Sequence, residues 1–222
     1  MDITTDEAAE RLGVSRRRVV EMLNSGELLG RHIHRTWAVD LGSVQHKELT
    51  RGNGGRPLSV ASTRTMIDVL STGSCGDARK LRNTAMHRPV SVFASALAQA
   101  VTVDRYETRQ PPLAAELMHL TGESAFDEIV SDPGERLAGL SRTVHGYRRV
   151  ASMEELIDEA RLVPNAEGNV YLHTFRDDVF PWKRAPRALI AVDATRSTNA
   201  RVRGAGLEAL EQMRNRWLGA GM

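Results

Sequence analysis

Several features on which common protein classes depend are scarce or missing in this sequence. Its 222 residues include one cysteine, Cys75, which excludes an internal disulfide and a cysteine-based zinc site and fits a reducing compartment. No apolar run approaches the roughly 18–20 residues that a membrane-spanning helix needs. The N-terminus is acidic and rich in helix formers, which is not typical of a signal peptide. We therefore expect a cytoplasmic protein without a membrane partner.

The short motifs of common enzyme classes are also missing. The sequence contains no Gly-x-Gly-x-x-Gly, no P-loop, no His-Glu-x-x-His and no Gly-x-Ser-x-Gly, and its seven histidines are scattered. Asp177, Asp178 and Asp193 are a conceivable metal cluster, but Asp177-Asp178 is more typical of a turn after a strand. Asp193 ends an apolar segment, where a catalytic carboxylate sometimes lies. We predict no enzymatic activity, no cofactor and no metal.

Positive charge is concentrated in one segment. The whole chain has a formal net charge of only +2, so any nucleic-acid surface must be a local patch. Residues 15–56 contain eight Lys and Arg against four Asp and Glu, a local net charge of +4. The basic residues are Arg16, Arg17, Arg18, Arg31, Arg35, Lys47, Arg51 and Arg56. We expect this cluster to contact DNA, and the alternative is a solvated surface.

Two short helices are predicted at the start of the chain. Thr4-x-x-Glu7 is a capping-box pattern, Gly13 suits a helix C-cap, and Ser15 suits the N-cap of the next helix. The tripeptide from Gly13 to Ser15 therefore joins two helices, and the first turn of the second helix presents residues 16–18 outward. A short two-stranded hairpin and a third helix from Leu41 to Leu49, capped by Asp40, complete this part.

Residues 3–38 resemble the excisionase and MerR-type helix-turn-helix family, in which the second helix enters the major groove and a basic wing follows. The resemblance implies a winged helix-turn-helix domain over residues 1–50. It implies base contacts from Ser15, Arg16, Arg17 and Arg18 and wing contacts from Arg31, His32, His34 and Arg35. The alternative for His32 and His34 is that they are exposed to solvent and contact no nucleic acid. We expect Trp37 to pack under the wing.

A flexible connector is predicted between the two parts of the chain. Residues 51–57 contain three glycines, an asparagine and a proline, which indicates a Gly/Arg linker over residues 51–58. Arg51 and Arg56 are candidates for a mobile arm in the minor groove, and a plain linker is the alternative. Residues 59–222 then form an accessory domain for oligomerisation or toxin binding.

The accessory domain is predicted to be mixed, which makes the whole chain α+β with a small helix-backed sheet. The predicted strands are Val101–Thr108, Val144–Val150, Val170–Phe175 and Ala188–Ala194, the last being the most apolar and expected at the sheet centre. The predicted helices are Val60–Leu70, Ala78–His87, Val90–Ala100, Pro112–Leu120, Met153–Arg161 and Arg201–Leu218.

Short segments along the accessory domain resemble actinobacterial AbiEi-type antitoxin regulators. They are Gly55–Ser59, Ala78–Arg82, Gly146–Leu156, Gly168–Leu172 and the stretch from Asp193 to Gly206. Asp193-Ala stands where that family has Asp-Leu, and the stretch from Pro111 to Asp132 departs from its pattern. The resemblance implies a bacterial or phage-encoded repressor that pairs with a nucleotidyltransferase-type toxin.

Three functions fit these patterns. The leading hypothesis is a sequence-specific regulator of double-stranded DNA that represses its own operon and binds a toxin. One such DNA-binding unit buries little surface, so a homodimer or a heterocomplex is expected. An excisionase-like recombination-directionality or immunity regulator is the second hypothesis. A ligand-sensing or enzymatic accessory domain is the third, and it requires a pocket with convergent polar groups.

Overall fold

The chain folds into helices and two separate β-sheets. The computed structural model describes residues 2–33, 36–51, 58–73, 85–86, 88–130, 143–165, 167–197 and 199–219, with side chains omitted at residues 46 and 48–51. The predicted mixed α+β class is confirmed, because both helices and sheets are present. Predicted features at His34, Arg35, Arg56 and Cys75, and most of the predicted helix Ala78–His87, lie outside the described residues.

The amino-terminal part contains three helices and a three-stranded antiparallel sheet in the order β1-β3-β2. Its elements are β1 (Asp2–Thr4), α1 (Thr5–Leu12), α2 (Arg16–Asn24), β2 (Gly30–Ile33), β3 (Thr36–Asp40) and α3 (Leu41–Arg51). The sequence predicted the β2–β3 hairpin, whereas β1 was not predicted. Strand β1 pairs with β3 through register partners such as Ile3 and Val39.

Local side-chain hydrogen bonds determine where these helices begin. The Thr4 hydroxyl accepts a hydrogen bond from the Glu7 backbone at 3.2 Å, and the Glu7 carboxylate accepts one from the Thr4 backbone at 2.8 Å. Gly13 closes α1 in the left-handed region at φ 55°. At the start of α3, Asp40 accepts a hydrogen bond from the Ser43 backbone at 2.8 Å. The predicted caps are confirmed.

The remaining chain forms the second sheet and six further helices among the described residues. The helices are α4 (Val60–Thr72), α5 (Val90–Ala98), α6 (Pro111–Glu116), α7 (Met153–Ala160), α8 (Arg187–Ala194) and α9 (Ala200–Gly219), with a 3₁₀ helix at Gly122–Glu128. The strands are β4 (Val101–Glu107), β5 (Met118–Leu120), β6 (Val144–Arg148), β7 (Val163–Pro164) and β8 (Val170–Phe175). The order of the described strands is β5-β6-β8-β4-β7, and among these pairs only β6–β8 is parallel.

The two faces of this sheet have different neighbours, because successive strand residues point to opposite sides. Val170 and Leu172 of β8 pack with helices α6 and α7 in one hydrophobic cluster. Phe175 belongs to the larger cluster around α4, α5, α8 and α9. Tyr171 and His173 share the face of Phe175, and these two residues line the boundary with the amino-terminal part.

The predicted central strand Ala188–Ala194 is wrong, since this segment is helix α8. Its residues from Ala188 to Ala194 are all buried and all but Asp193 are apolar, so the segment carries no periodicity that separates a strand from a buried helix. Helix α9 packs closely on it at Gly206, where an added Cβ would lie 2.8 Å from the Ala191 carbonyl oxygen. Small residues allow two helices to approach in this way.

The predicted helix Pro112–Leu120 is only partly correct. Helix α6 ends at Glu116, and Met118–Leu120 forms edge strand β5, which pairs antiparallel with β6. An added Cβ at Gly146 of β6 would lie 2.8 Å from the Met118 Cβ, so the glycine permits this close pairing. Pairing with β6 therefore decides the conformation of these three residues.

Candidate functional site

The N-terminal turn of α2 is presented to solvent. The Ser15 hydroxyl accepts a hydrogen bond from the Arg18 backbone at 3.2 Å, so it caps the helix as predicted. Arg16, Arg17 and Arg18 are exposed, and the Arg17 side chain is 90% exposed. The four residues assigned to base contacts therefore lie together at one helix end, where the helix dipole also favours an anion.

Every arginine in this turn has a carboxylate neighbour. Arg17 Nε and Arg18 Nη1 lie 3.2 and 3.3 Å from the two oxygens of Glu21. Arg18 Nη2 lies 3.5 Å from Glu27, which also binds Lys47 at 2.8 Å, and Arg16 lies 3.8 Å from Asp6. Hydrogen bonds from Arg18 and Arg17 lower the pKa of the Glu21 carboxyl, so it stays ionised. The positive charge counted from the sequence is thus partly compensated within the fold.

The hairpin between β2 and β3 carries the other predicted contacts. Arg31 is exposed and donates to Asp2 of β1 at 2.9 and 3.1 Å. The ring centroid of His32 lies 4.2 Å from that of Trp37, and Trp37 packs against the amino-terminal core as expected. Arg51 is the last residue of α3, and its side chain is outside the described part of the structure, as are His34, Arg35 and Arg56.

A cavity of about 580 Å³ lies between the C-terminal end of α2 and the larger sheet. The amino-terminal part contributes Leu23, Asn24, Gly26, Leu28, Leu29, Gly30 and Trp37 to its wall. The sheet and its flanking segments contribute Val103, Arg105, Glu123, His145, Tyr171, His173, Asp193, Arg196 and others. Pockets of this volume accommodate small organic ligands. Sequence patterns did not predict this cavity, because its two walls are distant along the chain.

A buried polar cluster surrounds the Asp193 carboxylate at the cavity wall. The hydroxyls of Thr121 and Tyr147 donate to Asp193 Oδ2 at 2.7 and 2.9 Å, and His173 Nδ1 lies 3.4 Å from Oδ1. Burial alone raises the pKa of the Asp193 carboxyl, but His173, Thr121 and Arg196 outweigh burial and hold this pKa below its usual value. Burial and the Asp193 charge raise the pKa of Tyr147, so its hydroxyl remains a donor.

His145 lies beside this cluster in an electropositive environment. Its ring stacks on Tyr171 with centroids 4.1 Å apart, and the Arg105 guanidinium lies 4.6 Å from the Tyr171 centroid. Burial, followed by His173, lowers the pKa of His145 to about 3, with further contributions from Arg105 and Arg196. The sequence signal for this row was the alternation of Tyr171, His173 and Phe175 along β8, which places three rings on one face.

The three aspartates considered as a metal cluster are held apart by their partners. Asp177 pairs with Arg64, and Asp178 lies 3.2 Å from Arg148, whereas Asp193 belongs to the buried cluster. Within the described ranges, no three His, Cys, Asp or Glu side chains are arranged to hold a metal ion. The interpretation of Asp177-Asp178 as a turn after β8 agrees with the structure.

Comparison with known proteins adds no relative. No protein-family model, no curated protein and no solved structure matches the chain. Among the described helices, none combines the length and the apolar character needed to cross a membrane. The geometry of the site is therefore the basis on which a function is assigned.

Proposed function

We propose that the chain is a sequence-specific regulator of double-stranded DNA that binds through a winged helix-turn-helix domain. In this proposal α2 enters the major groove with Ser15, Arg16, Arg17 and Arg18 at its leading end, and the β2–β3 hairpin acts as the wing. The observation that carries the proposal is the exposure of this capped, arginine-rich turn. Arginine is the residue most often used for bidentate contacts to guanine and also binds phosphate.

The ion pairs of this turn are compatible with DNA binding. They are exposed pairs, and such pairs contribute only about 0–1 kcal/mol each. Phosphate oxygens are therefore able to replace Glu21 and Glu27 as partners of the arginines at small cost. The same carboxylates repel phosphates, so they reduce non-specific affinity and make binding depend on correct base contacts.

The C-terminal end of α2 faces the larger sheet, and its N-terminal end does not line that boundary. Leu23 and Asn24 line the cavity, whereas residues 15–18 are exposed. With a rise of about 1.5 Å per residue, the nine-residue helix places its two ends roughly 12 Å apart. In this proposal the accessory part packs near the C-terminal end of α2 and leaves the DNA-contacting residues 15–18 uncovered.

The proposed test compares charge removal on α2 with charge removal elsewhere. Double-stranded DNA selected from a random pool is titrated in a gel shift at several salt concentrations. Arg17→Ala with Arg18→Ala should weaken binding and lower the salt slope by roughly one for each phosphate that the variant no longer binds. The matched control, Lys183→Ala with Arg184→Ala, removes two exposed positive charges outside α2 and should bind normally. Equal affinity and slope for both double variants would contradict the proposal.

The cellular role expected from the resemblance is also a proposal. We propose a cytoplasmic repressor of its own operon that acts as a homodimer or in a heterocomplex and binds a nucleotidyltransferase-type toxin through the accessory domain. Co-expression with the product of the neighbouring gene tests this role. Co-purification of a nucleotidyltransferase supports the antitoxin role, and co-purification of an integrase instead favours the excisionase-like alternative.

A further inference from the structure

We infer that the cavity between α2 and the larger sheet binds a small organic oxyanion, a carboxylate or a phosphate ester attached to a flat apolar body. Neither the helix-turn-helix resemblance nor the proposed DNA contact requires such a site. Its cationic side is formed by Arg105 and Arg196, and its apolar and aromatic side by Leu28, Trp37, Val103 and Tyr171.

The two arginines of the cavity hydrogen-bond only to backbone carbonyl oxygens among the described residues. In the described ranges, Arg196 donates only to the carbonyl oxygens of Val101 and Gly26, each at 3.4 Å. Arg105 donates to the Gly168 carbonyl at 3.1 Å, and its buried Nε has no hydrogen-bond partner. Within the part of the chain that the structure describes, neither guanidinium pairs with a carboxylate. Both arginines are partly buried, and a ligand oxyanion gives such a cationic donor the charged partner that it lacks.

Three acidic residues line the cavity: Asp193 and Glu123 accept hydrogen bonds from other residues of the protein, and Asp104 is exposed. Asp193 accepts the Thr121 and Tyr147 hydroxyls and lies beside His173. Glu123 accepts a hydrogen bond from the Ser197 hydroxyl at 2.9 Å. Asp193 Oδ1 has no hydrogen-bond partner among the described residues, but neither Asp193 nor Glu123 forms an ion pair with Arg105 or Arg196 there, so both guanidiniums remain available to a ligand. The inferred anion site is therefore confined to the two guanidiniums and does not extend over the whole cavity wall.

His173 provides an independent indication of a missing polar partner. Its side chain is only 3% exposed and lines the cavity, and its Nε2 atom has no hydrogen-bond partner among the described residues. Buried ring nitrogens are normally hydrogen-bonded. Because Nδ1 faces the Asp193 carboxylate, a hydroxyl or amide donor elsewhere on the ligand would satisfy Nε2, while the oxyanion binds the guanidiniums.

The shape of the ligand follows from the aromatic wall. Tyr171 is already sandwiched between Arg105 and His145, which leaves the edges of these rings and the Trp37 face as the surfaces that a ligand meets. A flat ring or conjugated chain makes the largest contact with such a wall. The volume of about 580 Å³ accommodates a ligand with one or two rings.

Binding at this site would change the contacts between the accessory part and the C-terminal end of α2. The Arg196–Gly26 hydrogen bond joins the segment after α8 to the turn that follows α2, and an oxyanion on Arg196 competes with this link. Ligand binding is therefore coupled to the position of α2. This coupling rests on the proposed DNA binding, whereas the binding site itself does not.

Calorimetric titration with matched probes tests the site. Benzoate and phenyl phosphate share one ring and carry the two kinds of oxyanion, and benzamide is their neutral counterpart. The wild-type chain should bind at least one oxyanion roughly 10-fold or more tightly than benzamide. Preference for one probe identifies the head group as carboxylate or phosphate. Absence of oxyanion binding up to roughly 10 mM, or equal binding of benzamide, overturns the inference, and this comparison needs no variant.

Variants locate the binding within the structure. Arg196→Gln and Arg105→Gln, on different elements, should each weaken oxyanion binding by roughly 10- to 100-fold, whereas Arg184→Gln, at an exposed arginine outside the cavity, should not. Equal weakening of oxyanion binding by Arg184→Gln overturns the assignment of the binding site to this cavity. In a gel shift, the bound probe should change the DNA affinity of the wild type but not of Arg196→Gln. Calorimetric binding without this effect refutes the coupling alone, and absence of DNA binding refutes the proposed function alone.

Discussion

The buried imidazole of His145 should make the folded chain sensitive to mild acid. Burial, His173, Arg105 and Arg196 lower the pKa of His145 from 6.5 to about 3, and only Asp193 opposes them. In the unfolded chain this imidazole titrates near 6.5. Between these two values the unfolded state binds a proton that the folded state does not bind. Stability is therefore complete above about pH 7 and is lost as the pH falls toward 3.

The size of the effect follows from the two pKa values. Each pH unit inside the window is equivalent to about 1.4 kcal/mol per proton. At pH 7 the penalty is only about 0.2 kcal/mol, and at pH 5 it reaches about 2 kcal/mol. A loss of this size is a large fraction of the roughly 5–15 kcal/mol that stabilises a typical domain.

Urea unfolding at pH 7 and pH 5, followed by tryptophan fluorescence, measures this difference. The control is His145→Gln, which cannot be protonated and therefore should lose about 2 kcal/mol less stability than the wild type between the two pH values. The absence of stacking on Tyr171 lowers the stability of the variant equally at both values and cancels. The lowered pKa of His119 acts in the same direction but is present in both proteins. Equal pH dependence of the two proteins would refute the assignment.

Three further perturbations test the packing and the charges. Gly206→Ala places a Cβ 2.8 Å from a carbonyl oxygen of α8 and should destabilise the fold by about 1–3 kcal/mol in thermal unfolding. Its control is Gly204→Ala in the same helix, where the added Cβ meets no described atom within 4 Å and should raise the stability by up to about 1 kcal/mol. Asp193→Asn should cost about 2–4 kcal/mol in urea unfolding because two buried hydroxyls lose an anionic acceptor, and a cost as small as that of the exposed Asp178→Asn would contradict this account. Glu21→Gln releases two arginines and should tighten DNA binding several-fold in a gel shift; weaker binding would argue against the DNA contact.

The amino-terminal elements were predictable because their signals are local. The Thr4–Glu7 capping box, the left-handed Gly13 and the Ser15 cap each involve residues within a few positions of one another. Such contacts form in the same way whatever surrounds the helix. The exposure of residues 16–18 also followed, because the buried positions Val19, Met22 and Leu23 lie on the opposite side of α2.

Helix α8 shows why part of the larger fold was not predictable. Its apolar run from Ala188 to Ala194 contains no polar residue before Asp193, so neither a strand period nor a helix period is visible. The surrounding helices bury all of its sides, and α9 approaches it through Gly206. Only these tertiary contacts select the helix.

The sequence by itself determined the helix caps, the exposed arginine turn and most of the strands, because all of these depend on neighbours a few residues away. Tertiary structure decided part of the charge balance, since Asp6 and Glu27 reach Arg16 and Arg18 only in the folded chain, whereas Glu21 is a local partner within α2. It also decided the candidate ligand site. His145, His173, Asp193 and Arg196 lie on three segments, and the cross-strand register and the packing of α8 bring them to one cavity behind α2. No local sequence pattern predicts that these four side chains lie together, because long-range packing brings them there and removes them from water.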